Sequence, residues 1–279
     1  MLIDLIGFLF TAQLGSAAPT KAPAPAPVAA PAKTGALSAV APAKAGALSA
    51  VDVVNNVQKF YADIKQVSAQ FQQTVHISTF GTDKTSGGQL WIVKPGKMRW
   101  DYLEKKKTDT VVKKSFISNG SSLYVVEHDN KQVVKKNLQQ DLMPVAVSFL
   151  YGKGDLKAEF IAELDTKQSY GGKGDYVLKL TPKKPSAQYK SLYLVADPTQ
   201  FRVKESVIID SSNNVNHFQF FSPNFEKPVE ASWFEFNEKS VPNYRVIDGD
   251  APRNTGAGSA ATPASQAGAD PSPAAPAKK

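Results

Sequence analysis

Three histidines, His76, His128 and His217, are the side chains best suited to proton transfer or metal ligation near neutral pH. No two of them stand at the i, i+4 spacing that presents a pair of imidazoles from one helix face, and none forms a His-x-His pair on a strand. The chain has no cysteine, which excludes disulfides, thiolate metal sites, a thiol nucleophile and lipidation of its own N-terminus through cysteine. A G-x-S-x-G nucleophile turn and a Walker phosphate loop are both missing. Gly171-Gly172-Lys173-Gly174 is glycine-rich, but no helix and no Ser or Thr follows it, so it reads as a plain loop. Asp101 and Glu104 are the one carboxylate pair to weigh, and alternation with Trp100 and Tyr102 predicts that Asp101 faces solvent. No catalytic residue, metal ligand or cofactor is nominated, and the expected chemistry is binding.

The formal charge of +8 does not point to nucleic acid. The lysines come in short groups (Lys105 to Lys107, Lys113 and Lys114, Lys135 and Lys136, Lys183 and Lys184) with no recognition motif beside them. They read as solvated strand faces and turns, so no nucleic-acid partner is expected.

The ends differ from the middle. In residues 2–18, LIDLIGFLFTAQLGSAA, an apolar run is followed by small residues, with Gly15 and Ala17 placed for cleavage. Residues 1–17 are therefore expected to be an export signal, atypical in having Asp4 and no basic start; the alternative is a short buried helix. Residues 18–47 are Ala, Pro and Lys and contain a repeat, PAKTGALSAV at 31–40 and PAKAGALSAV at 42–51. Residues 249–279 are Ala, Pro, Gly and Ser. Neither stretch has apolar surface enough to offset chain entropy, so both are expected to be disordered. One domain is expected at 48–248.

Within that domain Ser49 and Asp52 resemble a capping box, and Val54, Val57, Phe60, Tyr61 and Ile64 recur at helical spacing, predicting a helix over about 50–64. The period then changes to two. From Val67 to Ile77 the odd positions are apolar except Gln73 and the even positions are polar, which predicts a half-buried antiparallel strand. Further strands are predicted at 86–94, 97–103, 108–118, 122–128, 131–137, 157–164, 175–182, 187–196, 201–210, 214–222 and 231–237. Asn119-Gly120, Asp129-Asn130 and Asn213-Asn214 supply hairpin turns. An apolar stretch from Met143 to Leu150 predicts a short second helix. Several strands are apolar on both faces: Leu90 and Ile92 against Trp91 and Val93, Phe218 and Phe220 against Phe221. Strands of this kind must curl around something. Patterning leaves open whether that is a filled barrel or sandwich, or a barrel around a cavity.

One stretch is more specific. Gly88-Gln-Leu90-Trp91-Ile92-Val93-Lys94-Pro95-Gly96-Lys97-Met98-Arg99-Trp100 resembles the motif G-x-L-W-x-x-[RK]-P-G-x-x-R-W of the outer-membrane lipoprotein carrier (LolA) family. Phe71-Gln-Gln73-Thr74-Val75, the hairpin Ser118-Asn119-Gly120 to Leu123-Tyr124, PVAVSFLYG from Pro144, Asp197-Pro198 and Phe218-Gln-Phe220 follow that family's order from about Val51 to Asp248. The resemblance implies an incomplete antiparallel β-barrel of about 10–11 strands, with short helices as a lid over a hydrophobic cavity. It implies a periplasmic monomer that takes the acyl chains of lipoproteins from an inner-membrane ABC transporter complex to an outer-membrane acceptor; a related lipid- or glycolipid-binding or envelope-sensing role on the same fold is the alternative. On this reading Val67, Phe71, Leu90, Ile92, Met98, Trp100 and Tyr102 line the cavity, with Val145, Val147 and Leu150 from the second helix. Arg99 is expected to point outward or to the rim. Lys94 stands where many members have a lid-latching arginine. A lysine is a point donor and cannot fork, so a looser latch is expected.

Overall fold

The computed structural model describes residues 48–138, 155–186 and 189–251. The expectations for residues 1–47, for the helix at 143–150 with Val145, Val147 and Leu150, and for the tail beyond 251 lie outside these residues.

Helix α1 (Ala50–Asp63) starts at the expected capping box: Ser49 Oγ accepts from the Asp52 N–H at 3.2 Å, and the Asp52 carboxylate accepts from the Ser49 N–H at 3.0 Å. It ends where Ile64 turns extended. Val53, Val54, Val57 and Tyr61 form its buried face. The strands follow as β1 (Gln66–Ile77), β2 (Thr82–Val93), β3 (Lys97–Lys105), β4 (Thr110–Asn119), β5 (Ser122–Glu127) and β6 (Gln132–Asn137). After the undescribed segment come a single turn of helix, α2 (Leu156–Glu159), then β7 (Phe160–Leu164), β8 (Tyr176–Pro182), β9 (Ser191–Ala196), β10 (Val203–Ile209), β11 (Val215–Asn224) and β12 (Arg245–Asp248).

All twelve strands form one sheet in the order β12-β6-β5-β4-β3-β2-β1-β11-β10-β9-β8-β7. Every neighbouring pair is antiparallel except β12 with β6, which is parallel. The end strands β12 and β7 are not paired to each other, so the sheet is open and unclosed. Glycines let it bend where strands crowd. An added Cβ on Gly88 in β2 would collide with the Asp101 carbonyl oxygen of β3, and Gly96, at φ +75°, approaches Gly120 so closely that a Cβ would sit 3.1 Å from its Cα.

The two-faced apolar strands have two explanations, one per face. The inner faces of β1–β5 and β7–β11 join α1 and α2 in one continuous core. On the outer face of β4–β6, Ile117, Val126 and Val133 form a second core, covered by Tyr124, Phe236, Val241 and Tyr244. Much of that cover is the chain after β11, which runs back over the outside of the sheet.

This return segment corrects three expectations. Residues 231–237 are not a strand: Ala231–Phe234 is a 3-10 turn. The alternating Phe234 and Phe236 dock onto an outer face whose strands are already paired, so period two arises here without strand pairing. Strand β12 was not anticipated. Asp101 does face away from the inner core, but it is not solvated. It is 4% exposed beneath the return segment, accepts from Arg99 Nε at 2.9 and 3.0 Å, and accepts from Ser115 Oγ at 2.6 Å. The predicted strand at 157–164 begins with α2, because Asp155 caps a helical turn by accepting from the N–H groups of Lys157 and Ala158 at 2.9 and 3.2 Å.

Candidate functional site

The inner surface is built by strand alternation. Along β1, Val67, Ala69, Phe71, Gln73 and Val75 point inward and are buried, while Gln70 and Gln72 are exposed. The β1–β2 and β2–β3 registers place Val67 opposite Ile92, Ile92 opposite Met98, Leu90 opposite Trp100 and Gly88 opposite Tyr102. Val67, Phe71, Leu90, Ile92, Met98, Trp100 and Tyr102 are therefore brought together on one face, and all seven belong to the buried inner core. Arg99, one residue out of phase, points outward. Its guanidinium lies 4.5 Å from the centroid of Trp233, whose ring meets Trp91 edge-on at 5.5 Å.

At the centre Phe71 contacts Trp100 at 5.1 Å, Tyr102 at 4.9 Å and Phe218 at 6.2 Å, and Trp100 also meets Phe218 at 5.6 Å and Phe220 at 6.3 Å. Phe218 belongs to the interior as fully as the nominated residues, and Phe220, partly buried, packs against it. The alternation of Phe218 and Phe220 against Phe221 in β11 was the signal for them, since Phe221 is 44% exposed.

Among the described residues, little space is left where α1 meets the sheet. A cavity of about 30 Å³ remains where Tyr61 of α1 meets Val67, Ala69, Leu90, Ile92 and Phe220. That is room for about one water molecule. An alkyl chain can enter at this point only if α1 moves away from the sheet. The latch position is relevant to such movement. Lys94, half-buried at the end of β2, donates from Nζ to the carbonyl oxygen of Tyr61 in the last turn of α1. The last four carbonyls of a helix lack internal partners and carry the negative end of its dipole, so a cation is favoured there. Burial lowers the Lys94 pKa, and the nearby charge of Asp63 opposes that. A second tie joins the same turn to the far side of the sheet: the Val203 N–H donates to Tyr61 Oη at 3.1 Å. The side chain and carbonyl of Tyr61 thus fasten the end of α1 to β10 and to β2.

The histidines go to separate places. His76 Nδ1 lies 2.6 Å from Asp83 on an exposed hairpin, His217 Nε2 lies 2.8 Å from Glu205, and His128 Nδ1 lies 2.9 Å from Tyr244 Oη. The hydrogen bond from His217 holds the Glu205 pKa below its ordinary value, and burial lowers that of His128. Glu104 pairs with Lys113 at 3.4 Å rather than with Asp101. Among the described residues no group of three or more His, Asp or Glu side chains could hold a metal ion, and no helix is long and apolar enough to cross a membrane.

The family model "Outer membrane lipoprotein carrier protein LolA" matches residues 62–237. The outer-membrane lipoprotein carrier protein of Cupriavidus necator is 25% identical over 185 residues, covering 65% of this chain and 82% of that protein. That of Coxiella burnetii is 23% identical over 187 residues, covering 66% and 82%. Among solved structures, the LolA superfamily protein NE2245 from Nitrosomonas europaea aligns over 68% of this chain and 99% of its own, with 11% identity and a TM-score of 0.38. With the family model spanning more than half of the 279 residues, and with Leu90, Ile92, Met98 and Trp100 of the Gly88–Trp100 motif in the inner core, the chain belongs to the outer-membrane lipoprotein carrier protein (LolA) family.

Proposed function

We propose that this chain is a periplasmic carrier, not an enzyme: it encloses the acyl chains of lipoproteins released by an inner-membrane ABC transporter complex and yields them to an outer-membrane acceptor. The observation that supports this reading best is the covered interior. An open sheet presents a continuous apolar and aromatic face, and one amphipathic helix lies over it, tied at its last turn by Lys94.

The energetics suit the task. Burying an acyl chain is worth about 0.8 kcal/mol per CH₂, so a chain of about 16 carbons costs on the order of 12 kcal/mol to leave in water. An unaided lipoprotein therefore stays in its membrane. A carrier that is closed when empty spends part of that energy in opening, which keeps cargo affinity low enough for hand-over. We assign Val67, Phe71, Leu90, Ile92, Met98, Trp100 and Tyr102 to the cargo-facing wall, joined by Phe218 and Phe220, and Val145, Val147 and Leu150 to the lid. Lys94 is assigned as the latch.

The test is direct. The full chain is purified from membrane-containing cells, extracted, and its ligand identified by mass spectrometry; the chain is then added to spheroplasts and lipoprotein release is measured. Acylated protein in the extract together with release supports the proposal. A glycolipid without release favours a related lipid-binding role, and absence of both lipid and release overturns the carrier reading.

A further inference from the structure

We infer that the interior contains a small set of hydrogen-bond donors that favours acyl esters and amides over plain hydrocarbon, an inference that rests on the carrier reading above. Gln73 of β1 lies opposite Phe218 of β11, and Ser206 of β10 lies opposite Phe218 from the other side. Asn216 is two residues from Phe218 on the same strand and so shares its inward face. Gln73, Asn216 and Ser206 are 2%, 0% and 1% exposed. They are polar residues set at interior positions, next to a centre built from Phe71, Trp100 and Phe218.

Their hydrogen bonds do not close. Gln73 Nε2 donates to Asn216 Oδ1 at 2.9 Å, and Ser86 Oγ donates to Gln73 Oε1 at 3.5 Å. This uses the Asn216 oxygen and leaves Asn216 Nδ2 without a partner; Ser206 Oγ has none either. Across the aromatic centre, Tyr102 is 8% exposed, stacks edge-on against Phe71 at 4.9 Å, and has a hydroxyl with no partner. Buried polar groups are normally satisfied, and groups that are not are a standing cost to the empty protein.

The type of the three groups identifies what would satisfy them. An amide N–H and two hydroxyls can each give a hydrogen. None is cationic, so a neutral acceptor suits them better than a phosphate or a carboxylate, whose burial would need a countercharge. A chain held through an ester or amide linkage brings carbonyl oxygens of this kind into an apolar interior, whereas a bare alkyl chain brings none. A site whose buried donors need partners discriminates against the analogue that lacks the acceptor.

The test compares methyl hexadecanoate with octadecane, two neutral chains of equal length of which only the first carries acceptor oxygens. Binding is read from Trp100 fluorescence in the full chain carrying W91F and W233F, which leaves Trp100 as the sole tryptophan of the three. The ester is expected to bind about tenfold more tightly than octadecane, equivalent to about 1.4 kcal/mol. The S206A/Y102F variant deletes two hydroxyls without stranding a partner; its folding midpoint is expected to hold while the ester preference falls towards one. Adding Q73L and N216L removes the remaining donor and abolishes the preference, and if that variant does not fold the double variant carries the test. Equal binding of ester and octadecane by the wild type overturns the inference and leaves the carrier reading standing. A tenfold preference that survives in the variants overturns the assignment of these donors. Failure of both chains to bind overturns the carrier reading and this inference with it.

Discussion

Replacing Lys94 by methionine keeps the length of the stem and removes the donor. Hydrogen bonds to charged groups contribute about 1.5–3 kcal/mol. Lys94 is only half-buried, so solvent screening places its bond to the Tyr61 carbonyl at the lower end, about 1.5 kcal/mol. The carbonyl left behind sits in the last turn of a helix, where water can take the donor's place as α1 lifts. The closed state alone loses the bond, so the equilibrium between closed and open shifts by about tenfold towards open. If acyl chains bind only the open state, apparent affinity rises by the same factor, because the fraction competent to bind has risen. Folding stability falls by about 1.5 kcal/mol, or about 3–6 °C in melting temperature for a domain of this size. Three measurements on K94M check this: affinity for a fluorescent fatty-acid probe, melting temperature, and hydrogen exchange of the amides in α1. The expected result is tighter loading, a lower melting temperature and faster exchange in α1 only. K94R should do the reverse, since a guanidinium can engage more than one carbonyl. Lower stability with unchanged loading would refute the reasoning, since Lys94 would then be a structural tie and not a latch.

Other perturbations have equally definite outcomes. R99M leaves the Asp101 carboxylate buried with only Ser115 as donor, and chemical denaturation should show a loss of about 3 kcal/mol; W233A, which removes a half-exposed partner of Arg99, should cost only about 1 kcal/mol. Glu205 is held below its ordinary pKa of 4.5 by His217, so its contribution to stability is present above about pH 4.5 and is lost as pH falls through the depressed folded value. Stability profiles between pH 6 and pH 2 should therefore be flatter for E205Q than for the wild type by about the contribution of that one pair. A charge in the lid, V145E or L150E, should lower loading of the fatty-acid probe by more than it lowers the melting temperature; equal losses would mean these residues belong to an ordinary core.

How far the sequence could be read depended on whether a feature was local. The capping box at Ser49 and Asp52 and the turn at Asn119-Gly120 are decided by neighbours within a few residues, and both stand where expected. Strict alternation in β1 placed Val67 and Phe71 on the inner face, and the motif residues Leu90, Ile92, Met98 and Trp100, with Tyr102 beyond them, followed by the same period. The C-terminal return segment was misread because Phe234 and Phe236 alternate for a reason other than strand pairing. Asp101 was misread because alternation gives the face of a strand but not what covers it.

The sequence by itself determined the mainly β architecture, the helix before it, the inward set of apolar residues and the absence of thiol chemistry. Each follows from residue type and period. Tertiary structure decided that the outer face carries a second core and that Lys94 reaches Tyr61. It also decided that Asn216, Ser206 and Tyr102 leave unmet donors inside. These depend on which strands lie side by side, and strand order arises from contacts between residues more than 100 apart, such as Gln73 with Asn216. The residues that could do chemistry were visible from the start, but whether a buried polar group is satisfied is a property of its neighbours in space.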